Sequence, residues 1–302
     1  MRFLLSPHYD AHDAFLTVAR AKPEVWRLLL GVVVIVVAYF GLSQIYFSLI
    51  LATMSNTSAE RFLEDIATGR TQAGLYTLLF QFLVVWIAVG LACLVMHRRG
   101  WLSVLGPLRP ALIQFGRVLL ALLALGAVIF VLPPWGQQVG YVPAMELGLW
   151  LSLLPLTALA VLVQSGAEEV LFRGYLQQQL AVRFRSPIIW MGIPSALFAF
   201  GHYMPDSAGS NAWMIVIWAG IFGLLMADIT ARAGTLGPAL AIHFANNISA
   251  LALTSLPDQM SGLALYHMPF GMDDEAALAA WMPVDFVFMI VMWLTARVVL
   301  RR

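Results

Sequence analysis

Long apolar stretches separated by short polar segments run from residue 28 to the end of the chain. Eight of these stretches predict transmembrane helices, because each is long enough, or nearly so, to cross roughly 30 Å of hydrocarbon at about 1.5 Å per residue. We therefore predict an all-α polytopic membrane protein. The predicted spans are residues 28–52, 76–96, 118–132, 147–179, 188–203, 212–231, 236–253 and 281–300, of which the fourth is unusually long and the fifth the shortest.

The polar segments between these spans predict one membrane domain with four parts. Residues 1–26 form a cytoplasmic N-terminal segment, in which residues 11–21 predict an amphipathic surface helix. Residues 27–146 form a three-helix membrane region, and a polar loop joins its first two spans. Residues 147–255 form a core region that holds most of the polar side chains within the spans, and residues 256–302 hold an irregular outer loop and the last span.

Composition and charge support this interpretation. The chain is 61% hydrophobic and 11% charged, whereas soluble domains are about half apolar and about a quarter charged. The single cysteine excludes an intramolecular disulfide and a cysteine metal cluster. With a cytoplasmic N-terminus and eight alternating spans, 15 of the 17 Lys and Arg residues lie on the cytoplasmic side. We predict a multi-pass protein with both termini in the cytoplasm, and the small soluble portion favours a bacterial inner membrane.

Polar side chains inside the predicted spans are the candidates for chemistry, because a lone charge in hydrocarbon is costly and is usually paired or functional. Three pairs at the i, i+4 spacing each share one helix face: Glu169 with Arg173, Phe198 with His202, and His243 with Asn247. Glu168 stands beside the first pair. Counted from the predicted cytoplasmic helix ends, these groups lie at similar depths of roughly 14–22 Å. They predict a polar cavity between spans four, five and seven.

Such a cavity could support hydrolysis of a carbonyl compound. A carboxylate beside an imidazole can hold and deprotonate water, and a second imidazole with a carboxamide can donate hydrogen bonds to an oxyanion. Two structural alternatives are a helix-packing ion network at the glutamates and hydrogen bonding between helices at the histidines. A transporter with a buried proton-relay carboxylate is a third alternative. Gly-x-Ser-Gly and Gly-x-Gly-Asp are absent, which disfavours serine and aspartyl intramembrane proteases.

The three pairs also match the ordered motifs of a known family, Glu-Glu-x-x-x-Arg, Phe-x-x-x-His and His-x-x-x-Asn. Residues 150–255 resemble the CAAX protease and bacteriocin-processing family, whose members include the CAAX prenyl endopeptidase. By this resemblance Glu168 is the catalytic glutamate that activates water with His202. His243 and Asn247 stabilise the oxyanion, Glu169 and Arg173 form a supporting ion pair, and Phe198 lines the cavity. Which of the two adjacent glutamates is the base stays open at this point.

The resemblance implies an intramembrane endopeptidase that acts on membrane-associated peptide or protein substrates. Prenylated CAAX proteins are the substrates it implies for eukaryotic members, but prenylation is not expected in a bacterial inner membrane. Membrane lipid is an expected partner and nucleic acid is not. No cofactor is firmly expected; if zinc binds, its ligands would be Glu168, His202 and His243. The alternative in the same family is a non-proteolytic scaffold or immunity-type binding protein.

Overall fold

A computed structural model describes residues 9–132 and 140–302 of the chain. In these two ranges we number the helices α1 to α12 and the strands β1 to β3. The helices are α1 Asp10–Leu16, α2 Val25–Leu51, α3 Asn56–Thr68, α4 Gln72–Gln81, α5 Leu83–His97, α6 Leu108–Val131, α7 Leu147–Ala181, α8 Pro187–Phe200, α9 Pro205–Ala208, α10 Ala212–Ala233, α11 Gly237–Ile248 and α12 Glu275–Leu300.

Six helical segments in the described part of the chain are long and apolar enough to cross a membrane. They are α2, the continuous pair α4–α5, α6, α7, a segment that combines α9 and α10, and α12. The fifth and seventh predicted spans are also helices, but α8 has 14 residues and α11 has 12 before a π-helical turn at Ser249–Leu253. The structure thus establishes a mainly helical, membrane-spanning chain, and the count of eight spans stays a prediction.

The polar loop predicted after the first span is wrong, because most of this segment forms helix α3. The Ser55 side chain caps the first turn by accepting a hydrogen bond from the backbone N–H of Ser58. Gly69 ends the helix in the left-handed conformation, with φ of 62°. A serine N-cap and a left-handed glycine are strong start and stop signals. Here they outweigh the polar composition that suggested a loop.

The predicted N-terminal surface helix is present as α1, followed by a 3₁₀ turn at Ala19–Ala21. Its buried face contains Phe15 and Leu16, and it packs against α10. The Tyr9 hydroxyl donates to Asp228 Oδ1 at 2.8 Å. Asp228 also forms an ion pair with Arg232, at 2.8 Å. These contacts fix the N-terminal segment to the end of α10.

The outer loop after α11 is irregular, as predicted, apart from two short strands. β1 Val142–Pro143 pairs antiparallel with β3 Tyr266–His267, and β2 Thr254–Ser255 pairs with β3 in parallel. The backbone N–H of Gly262 donates to the carbonyl of Gly69 at 3.0 Å, which attaches the loop to the connection between α3 and α4. The loop therefore covers one end of the helical bundle.

Helix α11 lies at the centre of the bundle, where it packs against α6, α7, α10 and α12. Small residues make this position possible, because they let helix backbones approach closely. Ala239 and Ala241 are fully buried, and a Cβ on Gly237 would lie 2.1 Å from the carbonyl oxygen of Ala111 in α6. The side chains of α11 are thereby held against α7.

The close approach at Gly237 predicts a marked loss of stability for Gly237→Ala. The added methyl must push α6 away from α11, and overpacking of this kind costs about 1–3 kcal/mol, or roughly 4–10 °C in Tm. Gly126→Ala is the matched control, because nothing lies within 4 Å of the added Cβ on α6. Thermal unfolding in detergent, followed by tryptophan fluorescence, measures both variants. Equal Tm values for the two would contradict the packing described here.

Candidate active site

The Glu-Glu-x-x-x-Arg motif lies where helix α7 changes its hydrogen-bonding pattern. The carboxylate of Glu146 begins the helix by accepting from the backbone N–H groups of Gly148 and Leu149. The helix is α-helical as far as Glu169, and Val170–Gln177 is π-helical. π-Helical turns are rare and are frequent at functional sites. The two glutamates thus end the regular part of the longest helix in the described chain.

Glu169 is the centre of the polar cluster and has no exposed surface. Its Oε1 atom accepts from Arg173 Nη1 at 2.9 Å and from His243 Nδ1 at 2.8 Å. Its Oε2 atom is buried and has no hydrogen-bond partner among the described residues. The ion pair with Arg173 is the one the i, i+4 spacing predicts, and the bond to His243 joins α7 to α11.

The guanidinium of Arg173 is buried beside Glu169, and Arg173 is 1% exposed. Its Nη2 atom donates to the backbone carbonyl of Gly223 in α10 at 3.3 Å, and its Cζ atom lies 4.8 Å from the centroid of the Phe198 ring. A Cβ on Gly223 would lie 2.9 Å from the Cβ of Ser195 in α8. The lack of a side chain at Gly223 therefore lets α8 and α10 approach closely, and the same residue supplies an acceptor for the buried cation.

Glu168 points to the other nitrogen of the same imidazole. Its Oε2 atom lies 3.3 Å from His243 Nε2, and its side chain keeps 16% exposure while that of Glu169 has none. The two adjacent carboxylates thus have different surroundings. Glu169 is enclosed and paired with a guanidinium, whereas Glu168 is partly accessible and faces only the imidazole.

His202 follows the end of α8 and is oriented by its own helix. Its Nδ1 lies 2.8 Å from the backbone carbonyl of Phe198. Because a carbonyl only accepts, Nδ1 carries the hydrogen, and in the neutral ring Nε2 is left as an acceptor. The Phe198 ring contacts both imidazoles, with centroids 4.5 Å from His202 and 6.0 Å from His243. His202 is therefore close to the cluster, although among the described residues it makes no direct hydrogen bond to Glu168.

Asn247 is held by a residue that sequence analysis did not single out. Its Nδ2 donates to Gln164 Oε1 at 2.8 Å, and its Oδ1 accepts from Asn246 Nδ2 at 3.0 Å. Gln164 is 9% exposed and precedes Glu168 by one helical turn. The sequence could have indicated Gln164 as a site residue, because it is polar within an apolar stretch and lies on the same helix face as Glu168, four residues before it.

The three expected zinc ligands are not gathered into a metal site. Among residues 9–132 and 140–302, no group of three or more His, Cys, Asp or Glu side chains is placed to hold a metal ion. Both ring nitrogens of His243 face carboxylate oxygens, and Nδ1 of His202 is engaged with a carbonyl. As arranged, Glu168, His202 and His243 do not fit zinc.

The fold and the site define a polytopic membrane protein with a glutamate–histidine cluster between buried helices. Residues 148–249 match the family model described as type II CAAX prenyl endopeptidase Rce1-like. This segment holds all three motifs, and the match confirms the resemblance to the CAAX protease family. The chain is also similar to the uncharacterized protein YyaK of Bacillus subtilis (strain 168), with 25% identity over 250 residues that cover 78% of this chain and 80% of YyaK. No solved structure matches the chain significantly.

The buried ion pair predicts strongly non-additive effects on stability. Arg173→Met leaves Glu169 as a buried carboxylate without its guanidinium, which costs about 3–5 kcal/mol. Glu169→Gln in the same chain removes the uncompensated charge and should restore part of that loss. The measurement is the Tm of the two single variants and the double variant in detergent. If the double variant falls by the sum of the two single losses, the pair is not coupled as the geometry indicates.

Proposed function

We propose that this protein is an intramembrane endopeptidase that hydrolyses peptide bonds of membrane-associated substrates by glutamate-activated water. The observation that carries the proposal is the placement of Glu168. It lies 3.3 Å from His243, beside a glutamate already neutralised by Arg173, in the segment that matches the CAAX prenyl endopeptidase family. A partly accessible carboxylate in contact with an imidazole is the arrangement that general-base catalysis needs.

The proposed resting site is electrically neutral. Glu168 and Glu169 together carry two negative charges, and Arg173 supplies one positive charge. A buried cluster is least costly when it is neutral, so one further proton belongs to the Glu168–His243 pair. With that proton on His243, the imidazolium donates through Nδ1 to Glu169 and keeps an N–H on Nε2. Glu168 is then ionised and able to act as a base.

In the proposed reaction, Glu168 and the acceptor Nε2 of His202 hold the attacking water. Glu168 removes a proton as the water oxygen bonds to the scissile carbonyl carbon. The carbon–nitrogen bond then breaks, and the departing amine takes that proton back from Glu168. No covalent intermediate with the enzyme forms, because the oxygen that enters the carbonyl comes from water.

The developing oxyanion is the group that His243 and Asn247 would stabilise. The donors would be the Nε2 hydrogen of the imidazolium, which faces Glu168 in the resting site and would turn to the oxyanion once Glu168 is protonated, and the Asn247 Nδ2 hydrogen that is not used by Gln164. Donors that the fold holds in place stabilise negative charge in a site of low dielectric constant. Gln164 is a positioning residue in this scheme, and Phe198 is the wall that both histidines contact.

The proposed peptide-bond hydrolysis takes place in a cavity between α7, α8 and α11 of an eight-span protein. α8 is an apolar helix of 14 residues and α11 is a helix of 12 residues. A tilted or partial crossing by each would complete the alternation. The distribution of Lys and Arg supports cytoplasmic termini in a bacterial inner membrane. Substrates would enter from the bilayer, so the expected partners are membrane lipid and a peptide or protein with a membrane-associated segment.

Glu168→Gln should abolish cleavage without unfolding the protein. Loss of a general base lowers the rate by about 100-fold or more, whereas an amide keeps the size of the side chain. Asp285→Asn is the matched control, because Asp285 is a partly buried carboxyl in the span α12 whose hydrogen bond from Trp281 an amide can also accept. The measurement is comparative peptidomics of membranes from cells that express wild type or either variant.

Wild type and Asp285→Asn should yield the same set of membrane-derived peptides, and Glu168→Gln should lack it. Identical peptide sets in all three strains would overturn the proposed hydrolysis and favour the scaffold alternative. Loss of ion or solute transport in Glu168→Gln vesicles, with no missing peptide, would favour the transporter.

A separate experiment tests whether the proposed peptidase reaction needs a metal ion. Purified wild-type protein should retain its peptidase activity after dialysis against EDTA and 1,10-phenanthroline, because the proposed base acts on water directly. Metal analysis of the same sample should give far less than one zinc per chain. Inactivation by the chelators together with recovery on addition of zinc would show that the ligands rearrange around a metal.

A further inference from the structure

A second buried cation lies at the other end of the core helices, at the end of α5. The backbone of Arg98 adopts the left-handed conformation, with φ of 51°, and its side chain is exposed. The chain then turns inward, so Arg99 is only 6% exposed. Both arginines lie in the segment between the second and third predicted spans, on the predicted cytoplasmic side. Arg99 does not behave as a surface orientation charge, because it is buried in the bundle.

Arg99 has no carboxylate partner among the described residues. Its Nη1 atom donates to the neutral Gln178 Oε1 at 2.7 Å, while Nε and Nη2 are buried without a hydrogen-bond partner. The segments 1–8 and 133–139 contain no Asp or Glu in the sequence. The Cys93 thiol lies beside it, but sulfur is a weak acceptor. A buried guanidinium in this state is costly unless an anion completes its surroundings.

Other donors converge on the same region. Arg183 is partly buried. Its two terminal nitrogens donate to backbone carbonyls, including that of Glu24 at 2.8 Å. Its Nε atom has no hydrogen-bond partner in the described chain. Burial lowers the pKa of the Arg183 guanidinium, and Arg99 adds to that effect. The Nε2 atom of Gln179 is a further buried donor without an acceptor. These unsatisfied groups are N–H donors, so they call for an acceptor-only ligand.

The charges nearby do not balance. Arg27, Arg99 and Arg183 are all close enough to His97 to act on it electrostatically. Glu24 is the carboxylate that pairs with this group, 3.1 Å from Arg27 Nε, and its side chain is 43% exposed. Three guanidinium groups against one carboxylate leave an excess of two positive charges.

We propose that Arg99, Arg183 and Gln179 form a binding site for a phosphate-type oxyanion. Arginine forks match phosphate oxygens and bind them through two hydrogen bonds at once. The anion has two possible sources, the headgroup of an anionic phospholipid or free phosphate. Trp26, Leu29 and Leu30 at the start of α2 are exposed apolar side chains. In a bilayer they would contact acyl chains beside the site. Gln178 orients Arg99, because its Oε1 atom accepts from Arg99 Nη1 at 2.7 Å.

The test compares wild type with Arg99→Met and uses Arg98→Met as the matched control. The two substitutions remove the same charge from adjacent residues, one buried and one exposed. Full-length protein is delipidated in neutral detergent and its Tm is measured with and without inorganic phosphate. The same proteins are then measured in phosphatidylcholine nanodiscs with and without phosphatidylglycerol.

In neutral detergent without phosphate, Arg99→Met should be as stable as wild type or more stable, because it removes an uncompensated buried charge. At a hundredfold excess of ligand over Kd, wild type and Arg98→Met should gain roughly 5 °C or more. Arg99→Met should gain little. Arg99→Lys, which keeps the charge without the fork, should gain less than wild type.

The response identifies the source of the anion. A gain with inorganic phosphate alone assigns a free-phosphate site, and a gain only with phosphatidylglycerol assigns a lipid headgroup site. Equal responses of wild type and Arg99→Met to both ligands would overturn the proposal. It would equally be overturned if Arg99→Met were less stable than wild type by the same amount under every condition, because that result describes a purely structural arginine.

Discussion

The neutralised charge at Glu169 and Arg173 is the constraint on which the rest of the core depends. A guanidinium with almost no exposed surface requires a carboxylate beside it, and that carboxylate must in turn fill its own acceptor positions. Glu169 does so by accepting from Arg173 on its own helix and from His243 on α11, while Arg173 reaches a carbonyl of α10. Three helices therefore share one charge pair. Such a pair contributes less to net stability than to specificity, because any shift in the relative height of these helices would leave a buried charge unpaired.

This arrangement explains how two adjacent glutamates acquire different properties. Neighbouring residues on a helix point about 100° apart, so only one of them can face Arg173. Glu169 takes that position, and Glu168 is left partly exposed against the far nitrogen of His243. The same imidazole thus contacts an enclosed carboxylate through Nδ1 and an accessible carboxylate through Nε2. The imidazole of His202, at the end of α8, is also held through one nitrogen. Its Nδ1 atom donates to a backbone carbonyl, and its Nε2 atom stays available. His202 thus keeps one nitrogen for chemistry, whereas the second nitrogen of His243 contacts the accessible carboxylate of Glu168.

Much of this could be predicted from local patterns, because the decisive contacts follow helix periodicity. The Glu169–Arg173 pair is an i, i+4 contact, and hydropathy alone located the long helices. The residues that were missed depend on contacts across helices. Gln164 shares a helix face with Glu168, yet its role appears only when α11 brings Asn247 against it. The pairing of Glu168 with His243 was not expected, since equal depth does not specify which imidazole faces which carboxylate. Helix α3 was missed because its polar composition is typical of a loop, although Ser55 and Gly69 mark its two ends.

Two of the buried arginines, Arg173 and Arg99, show why one kind of site can be predicted from a sequence and another cannot. The carboxylate that pairs with Arg173 is Glu169, four residues away on the same helix. The sequence motif therefore predicts this pair. Arg99 stands in His97-Arg98-Arg99-Gly100, which resembles any basic loop at a membrane surface. Only the left-handed turn at Arg98 separates the exposed arginine from the buried one. Both cations obey the same electrostatic rule, that a charge removed from water requires a counter-charge. Since the described chain supplies a carboxylate to one and only a neutral amide to the other, an oxyanion from the surroundings would complete the second site.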